Sequence, residues 1–206
     1  MRYTDYQNAR DAAWKILLDC NVERLPVDLN LICRSLGVHT TSYRANAMLI
    51  QRRKLSEIVA RSDGLSFFAG DTPVIMFNET CTPERIRFTV AHELGHIVLG
   101  HVSPGGVTTT NREPNPKDDP QETAANQFAA RLLAPACVLW GLDLHTSEEI
   151  AGTCHISKQA AEFRVARMNE LYSRNRFLTS PLERRLYQRF MPFIKECSPR
   201  RSPHPG

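Results

Sequence analysis

The chain has 206 residues, of which 42% are hydrophobic and 23% charged, and a formal net charge of +4. That is enough apolar material for one domain with a small appendage. No uncharged apolar run approaches the roughly 18–20 residues of a membrane span, and no basic-then-apolar stretch opens the chain, so neither a membrane anchor nor a secretory signal is expected and the cytoplasm is the expected compartment.

In chain order, Tyr6 to Leu18 reads as an amphipathic helix, with Ala9, Ala13, Ile16 and Leu17 at helical spacing. Pro26 opens "PVDLNLICRSLGV", a short helix with Leu29, Ile32, Cys33 and Leu36 inward and Gly37 as its stop. "VHTTSYR" is a strand candidate. "DGLSFFAGDTPVIMFN" reads as two strands joined by a turn over Ala69 to Pro73. Thr82 and Pro83 supply an N-cap and a first-turn proline for a helix running to about Gly100.

"HVSPGGVTTTNREPNPKDDP" is dense in turn residues and reads as a loop. "QETAANQFAARLLA" is a strong alanine-rich helix, ended by Pro135. Thr146 and Glu149 have capping-box spacing, and the stretch after them reads helix, turn, helix, with Ser157 capping the second. Past Arg174 the pattern weakens: "LERRLYQRF" suggests a turn or two, and "SPRRSPHPG" reads as disordered. From Ala161 onward ten bases face four acids, a net +6 on a tail read as a solvated end. The six cysteines form no CxxC pair and read as reduced thiols.

The stretch that carries chemistry is "FTVAHELGHIVLG". Four helical residues make 400°, so His92 and His96 lie about 40° apart and one turn apart in height. Both imidazoles can then reach one ion, and zinc suits them at roughly 2.0–2.1 Å. Glu93, about 100° round, is poorly placed as a ligand but well placed as a general base beside the ion. Gly95, costly at mid-helix, would let another backbone approach closely.

Two histidines leave zinc one protein ligand short. The downstream candidates are Glu113, Asp118, Asp119 and Glu122. The first three lie in the Pro-rich loop, so Glu122, opening the alanine-rich helix, is the preferred third ligand. Asn126 follows on the same face, in reach of a histidine's outer N–H. Manganese or iron also accepts nitrogen and oxygen donors. Asn78 ends the "VIMFN" strand, read as a sheet edge where an extended peptide substrate could add. His101 is read as a helix cap, and His39, His145, His155 and Tyr43 receive no role.

"FTVAHELGHIVLGH" followed by "ETAANQFAARLLAP" resembles the ImmA/IrrE family of zinc metallopeptidases, over roughly Pro26 to Leu171. The resemblance implies an α+β fold: a small zincin-like (gluzincin-type) domain over residues 1–140, with a three-stranded antiparallel sheet and the active-site helices. A helical, helix-turn-helix-like part over 141–175 and a basic, partly disordered tail over 176–206 complete the expected division. It also implies a metallo-endopeptidase whose protein substrate is a helix-turn-helix repressor, so that cleavage derepresses genes. The alternative is a zinc-containing antirepressor that sequesters the repressor without cleaving it. Direct DNA binding is not expected, and the oligomeric state is left open.

Overall fold

The computed structural model describes residues 3–102, 107–111 and 119–197. The elements are α1 (Tyr3–Asp19), α2 (Leu29–Ser35), β1 (His39–Ser42), a 3-10 turn (Arg44–Asn46), α3 (Ala47–Arg52), α4 (Ser56–Arg61), β2 (Ser62–Ala69) and β3 (Thr72–Phe77). They continue with α5 (Pro83–Val98), β4 (Val107–Asn111), α6 (Pro120–Leu133), α7 (Ala136–Gly141), α8 (Ser147–Cys154), α9 (Lys158–Ser173) and α10 (Pro181–Cys197).

The fold is α+β, as expected, but the sheet departs from three antiparallel strands. Its order is β1-β3-β2-β4, and β1 runs parallel to β3, from His39 opposite Val74 to Ser42 opposite Phe77. The fourth strand, β4, lies inside the stretch read as loop and pairs antiparallel with β2, across a bulge at Ser62/Gly64. Turn-rich composition hid it: a strand held by its partner needs no strong propensity of its own. β2 and β3 form the expected hairpin, with a shorter turn at Gly70, whose φ of +62° is cheap only for glycine.

Strand alternation divides the sheet into two faces. Leu65, Phe67, Val74 and Met76 point to one side, into a small cluster with Tyr43, Ile50 and Leu55. The last two come from α3 and the turn before α4, a region to which the sequence pattern assigned no element. Ile75 and Phe77 point to the other side, against the main helical core. That face is covered by α5, which is buried continuously from Thr89 to His96. A helix buried all round lies inside the molecule, here between sheet and α6.

Caps set the helix starts where the sequence placed them. The Thr82 hydroxyl accepts the Arg85 N–H, the Ser157 hydroxyl accepts the Ala160 N–H, and Thr146 with Glu149 closes a full capping box. The C-terminal region differs from expectation. The weak pattern after Arg174 folds into the 17-residue α10, which packs on α1 and α7 and buries Leu186, Phe190 and Ile194. Charge-rich exposed positions masked its apolar stripe. Residues 198–206 lie outside the described residues.

No disulfide joins the described cysteines, and Cys33, Cys137 and Cys154 are buried. Burial pushes the Cys33 and Cys154 thiols up to about 12, so neither offers a thiolate near neutral pH. Among the described residues, no helix is long and apolar enough to cross a membrane.

Candidate metal centre

His92, Glu93 and His96 are 0–1% exposed, so three ionisable side chains sit inside the protein on one helix. Burying such groups is costly unless each finds a partner. The helix turn separates them. The histidines face α6, and Glu93 faces β2, where the Ser66 hydroxyl donates to its Oε2 at 2.6 Å. Gly64, two residues before Ser66 on the same strand face, makes room. A Cβ there would fall 2.2 Å from Thr89 Cγ2 and 3.5 Å from Glu93 Cγ.

α5 and α6 cross closely because both present small residues. A Cβ on Gly95 would lie 3.0 Å from Phe128 Cδ1 and 3.3 Å from the Ala125 backbone. This is the close approach the mid-helix glycine foretold. At the start of α6, Asp119 is the N-cap: its Oδ1 accepts the N–H groups of Gln121 and Glu122. The acid considered as a ligand therefore serves to start the helix that carries Glu122. Glu113 and Asp118, the other two candidates, lie outside the described residues.

Glu122 reaches both imidazoles. Its Oε2 is 3.3 Å from His92 Nε2, its Oε1 is 3.2 Å from His96 Nε2, and the two Nε2 atoms are 3.0 Å apart. Three donors on a tetrahedral ion with bonds of about 2.0–2.1 Å would be spaced by roughly 3.3–3.4 Å. The set is therefore close to the size a zinc-like ion requires. Among the described residues, these three form the group of histidine, cysteine and acid side chains able to hold a metal.

The outer ring nitrogens are also engaged. His92 Nδ1 lies 2.9 Å from Asn126 Oδ1, which can only accept, so Nδ1 carries a proton, and the ring in its neutral form turns the Nε2 lone pair to the centre. His96 Nδ1 lies 3.1 Å from His101 Nδ1. Burial raises the Glu122 carboxyl, but hydrogen bonds and charge from His92 and His96 outweigh it and hold the group down at about 2. The Glu122 side chain is 17% exposed against 1–2% for the histidines, so solvent reaches the cluster from that side.

His101 corrects the sequence reading in part. Its backbone does cap α5: the His101 N–H donates to His96 O at 2.8 Å and the Gly100 N–H to Ile97 O at 3.2 Å, with Gly100 at φ +72°. The left-handed turn also swings the His101 ring back onto His96, which a helical wheel continued past the helix end places far round the axis. Ser66 was missed as well; strand alternation from the apolar Leu65 and Phe67 was the available signal.

Asn78 does not mark a substrate-binding edge. β3 lies between β1 and β2, so both its hydrogen-bonding edges are taken. The Asn78 side chain is buried and accepts from the Thr80 N–H and hydroxyl, closing the turn before α5. His145 pairs with Asp143, Tyr43 bonds Ser62, and the His155 carbonyl accepts from Arg87; these contacts involve no member of the cluster.

No curated protein matches the chain. A family model described as the IrrE N-terminal-like domain, Peptidase_M78, matches residues 33–166, which include α5, α6 and every member of the His-His-Glu group. On that match, covering more than half of its length, the chain belongs to the ImmA/IrrE family of metallopeptidases.

Proposed function

We propose that the protein is a zinc-dependent endopeptidase that hydrolyses a peptide bond in a protein substrate. The observation that carries this reading is the convergence of His92, His96 and Glu122 from two helices, with the Glu93 carboxylate buried beside them. In this reading His92 and His96, through Nε2, and Glu122, through its carboxylate, hold the ion. When bound, it would supply Lewis acidity to the scissile carbonyl and lower the pKa of water.

The chain's own residues do the rest. Glu93 takes a proton from the attacking water and delivers it to the leaving amine. Ser66, donating to Oε2, fixes the plane of that carboxylate. Asn126 and His101 engage the outer nitrogens of the two histidines and hold the rings in one orientation. For the substrate, β4 takes the place expected of β3: among the described residues it is an outer strand and it packs on α5, which makes it the strand for an extended peptide to pair with in this reading.

The substrate we favour is a helix-turn-helix transcriptional repressor, and the support for that choice is the family resemblance. The test is to incubate candidate repressors with the full chain, with and without chelator, and with Glu93→Gln. Discrete fragments that require metal and vanish with Glu93→Gln are expected. An intact repressor held in a stable complex would favour sequestration, and equal cleavage by Glu93→Gln would remove Glu93 as the base.

A further inference from the structure

The two helical rows that build the metal centre continue past it. Glu84, Phe88, His92 and His96 follow one another at four-residue spacing on α5, and Glu122, Asn126 and Ala130 do so on α6. The rows meet in antiparallel order: Glu122 reaches both histidines, and Asn126 reaches His92. Beyond His92 the seam opens into a cavity of about 460 Å³ that Phe88, Asn126 and Ala130 line. The Phe88 ring centre stands 6.2 Å from that of His92. One imidazole ring therefore separates the cavity from the Nε2 atom of the centre.

α9 supplies the third wall, through Ala160 and Phe163. Arg87, on α5, fixes the approach to that helix: its Nε donates to His155 O at 3.1 Å and its Nη2 to Cys154 O at 3.4 Å. Ser157 then caps α9, and Ala161 and Met168 anchor its inner side in the main core. Phe163 is left outside that core. At 73% it is the most exposed large hydrophobic side chain among the described residues.

An exposed phenylalanine by itself signifies little. This one shares a recess with Phe88, Ala130 and Ala160, and the recess is of ligand-pocket size. Two aromatic rings and two small apolar residues offer a guest side chain apolar surface on three helices. The charged groups at the rim are engaged elsewhere: Arg85 pairs with Asp63 and Arg167 with Glu170. An extended chain advances about 3.3 Å per residue, so a residue seated here lies within about three positions of a bond reacting at the centre.

We propose that this cavity is the specificity pocket of the peptidase: it takes a bulky apolar side chain of the substrate, aromatic or leucine-sized, close to the cleaved bond, and Phe163 sets that preference by closing over it. The proposal rests on the peptidase reading and adds to it the kind of residue selected. The guest removes its own apolar surface and the Phe163 ring from water together. The part of the chain beyond residue 140, through α9, thereby becomes one wall of the substrate site, and continuity with the row of His92 and Asn126 ties that wall to the centre.

Two measurements on the full chain, at fixed zinc, test it. In the first, a mixed peptide library is digested and the cleaved bonds are read by mass spectrometry. Aromatic residues, leucine and methionine should be enriched at least about tenfold at one position near the cleaved bond, and Phe163→Ala should cut that to under about threefold. Phe163→Leu should keep most of the enrichment. Met48→Ala, which trims a side chain 69% exposed on α3, should keep all of it. In the second, the Glu93→Gln chain is titrated, by fluorescence anisotropy, with a labelled polar peptide carrying one central phenylalanine, or alanine in its place. The phenylalanine peptide should bind at least about tenfold more tightly, and adding Phe163→Ala should bring the two within about threefold. Cleavage without apolar enrichment, or with enrichment that survives Phe163→Ala, would overturn the pocket and leave the peptidase reading standing. No cleavage by the parent, with a Phe163-dependent difference between the two peptides, would support the pocket and remove the peptidase reading. No cleavage and equal affinity for the two peptides would overturn both.

Discussion

The two faces of the sheet use one pair of strands for opposite purposes. On the far face, Leu65, Phe67, Val74 and Met76 gather in an apolar cluster, with the Arg53 guanidinium 5.3 Å from the centre of the Phe67 ring. On the α5 face, Gly64 and Ser66 stand between those same residues, and what they meet is Thr89 and Glu93. The far face stabilises; on the near face β3 still packs Ile75 and Phe77 on the helical core, and β2 gives up side-chain volume so that a carboxylate can be buried and oriented. Strand alternation places both on adjacent residues, so the division of labour is local, and substitutions should separate it.

The largest expected effect is on the near side. Glu122→Ala removes one of three donors, and structural zinc sites hold their ion by roughly 10–16 kcal/mol in all. Metal affinity should fall by at least about 10³-fold in a competition assay with a chromophoric chelator, while the folded fraction at room temperature is unchanged. Retained affinity would remove Glu122 as a ligand.

Phe67→Ala comes next, on the far side. It empties a buried ring position, at a cost of about 3–5 kcal/mol in denaturant unfolding. Metal content per folded chain should stay at the parent value. Loss of metal from the folded variant would show that the two faces act as one unit.

A smaller change is expected from Asn126→Ala, which frees the His92 Nδ1 proton from its acceptor. Such partners are worth about 10–100-fold in metal affinity. A drop in that range with little change in unfolding free energy would place Asn126 with the near face. The smallest is Ser66→Ala, which removes one hydroxyl donor from Glu93. Turnover should fall about five- to tenfold, consistent with roughly 1 kcal/mol for the lost hydrogen bond. Stability loss with unaltered turnover per folded chain would make Ser66 a packing residue instead.

Much of the site could be read before any coordinates. His92, Glu93 and His96 follow from four-residue spacing on a helix whose start Thr82 and Pro83 announce. Glu122 and Asn126 follow from the same spacing on the next helix. Their partners were harder. Ser66 reaches Glu93 only because β2 passes under α5, and the His101 ring reaches His96 only because Gly100 turns the chain back. The sheet was misjudged at its margins: β4 has a loop-like composition, and β3 became an interior strand once β1 paired with it in parallel. α10 escaped notice because its apolar residues are diluted by arginines, and it is secured by α1, from the opposite end of the chain.

Local chemistry, then, was enough to announce a pair of helices bearing candidate metal ligands, their caps and the glycine at their crossing, since each depends on residues within a turn or two. What required the folded chain was everything decided between distant segments: which strand lies outermost in the sheet beside α5, which hydroxyl meets Glu93, and how side chains from α5, α6 and α9 gather round one cavity. Those arrangements follow from which apolar faces find each other, and no short window of sequence contains both partners.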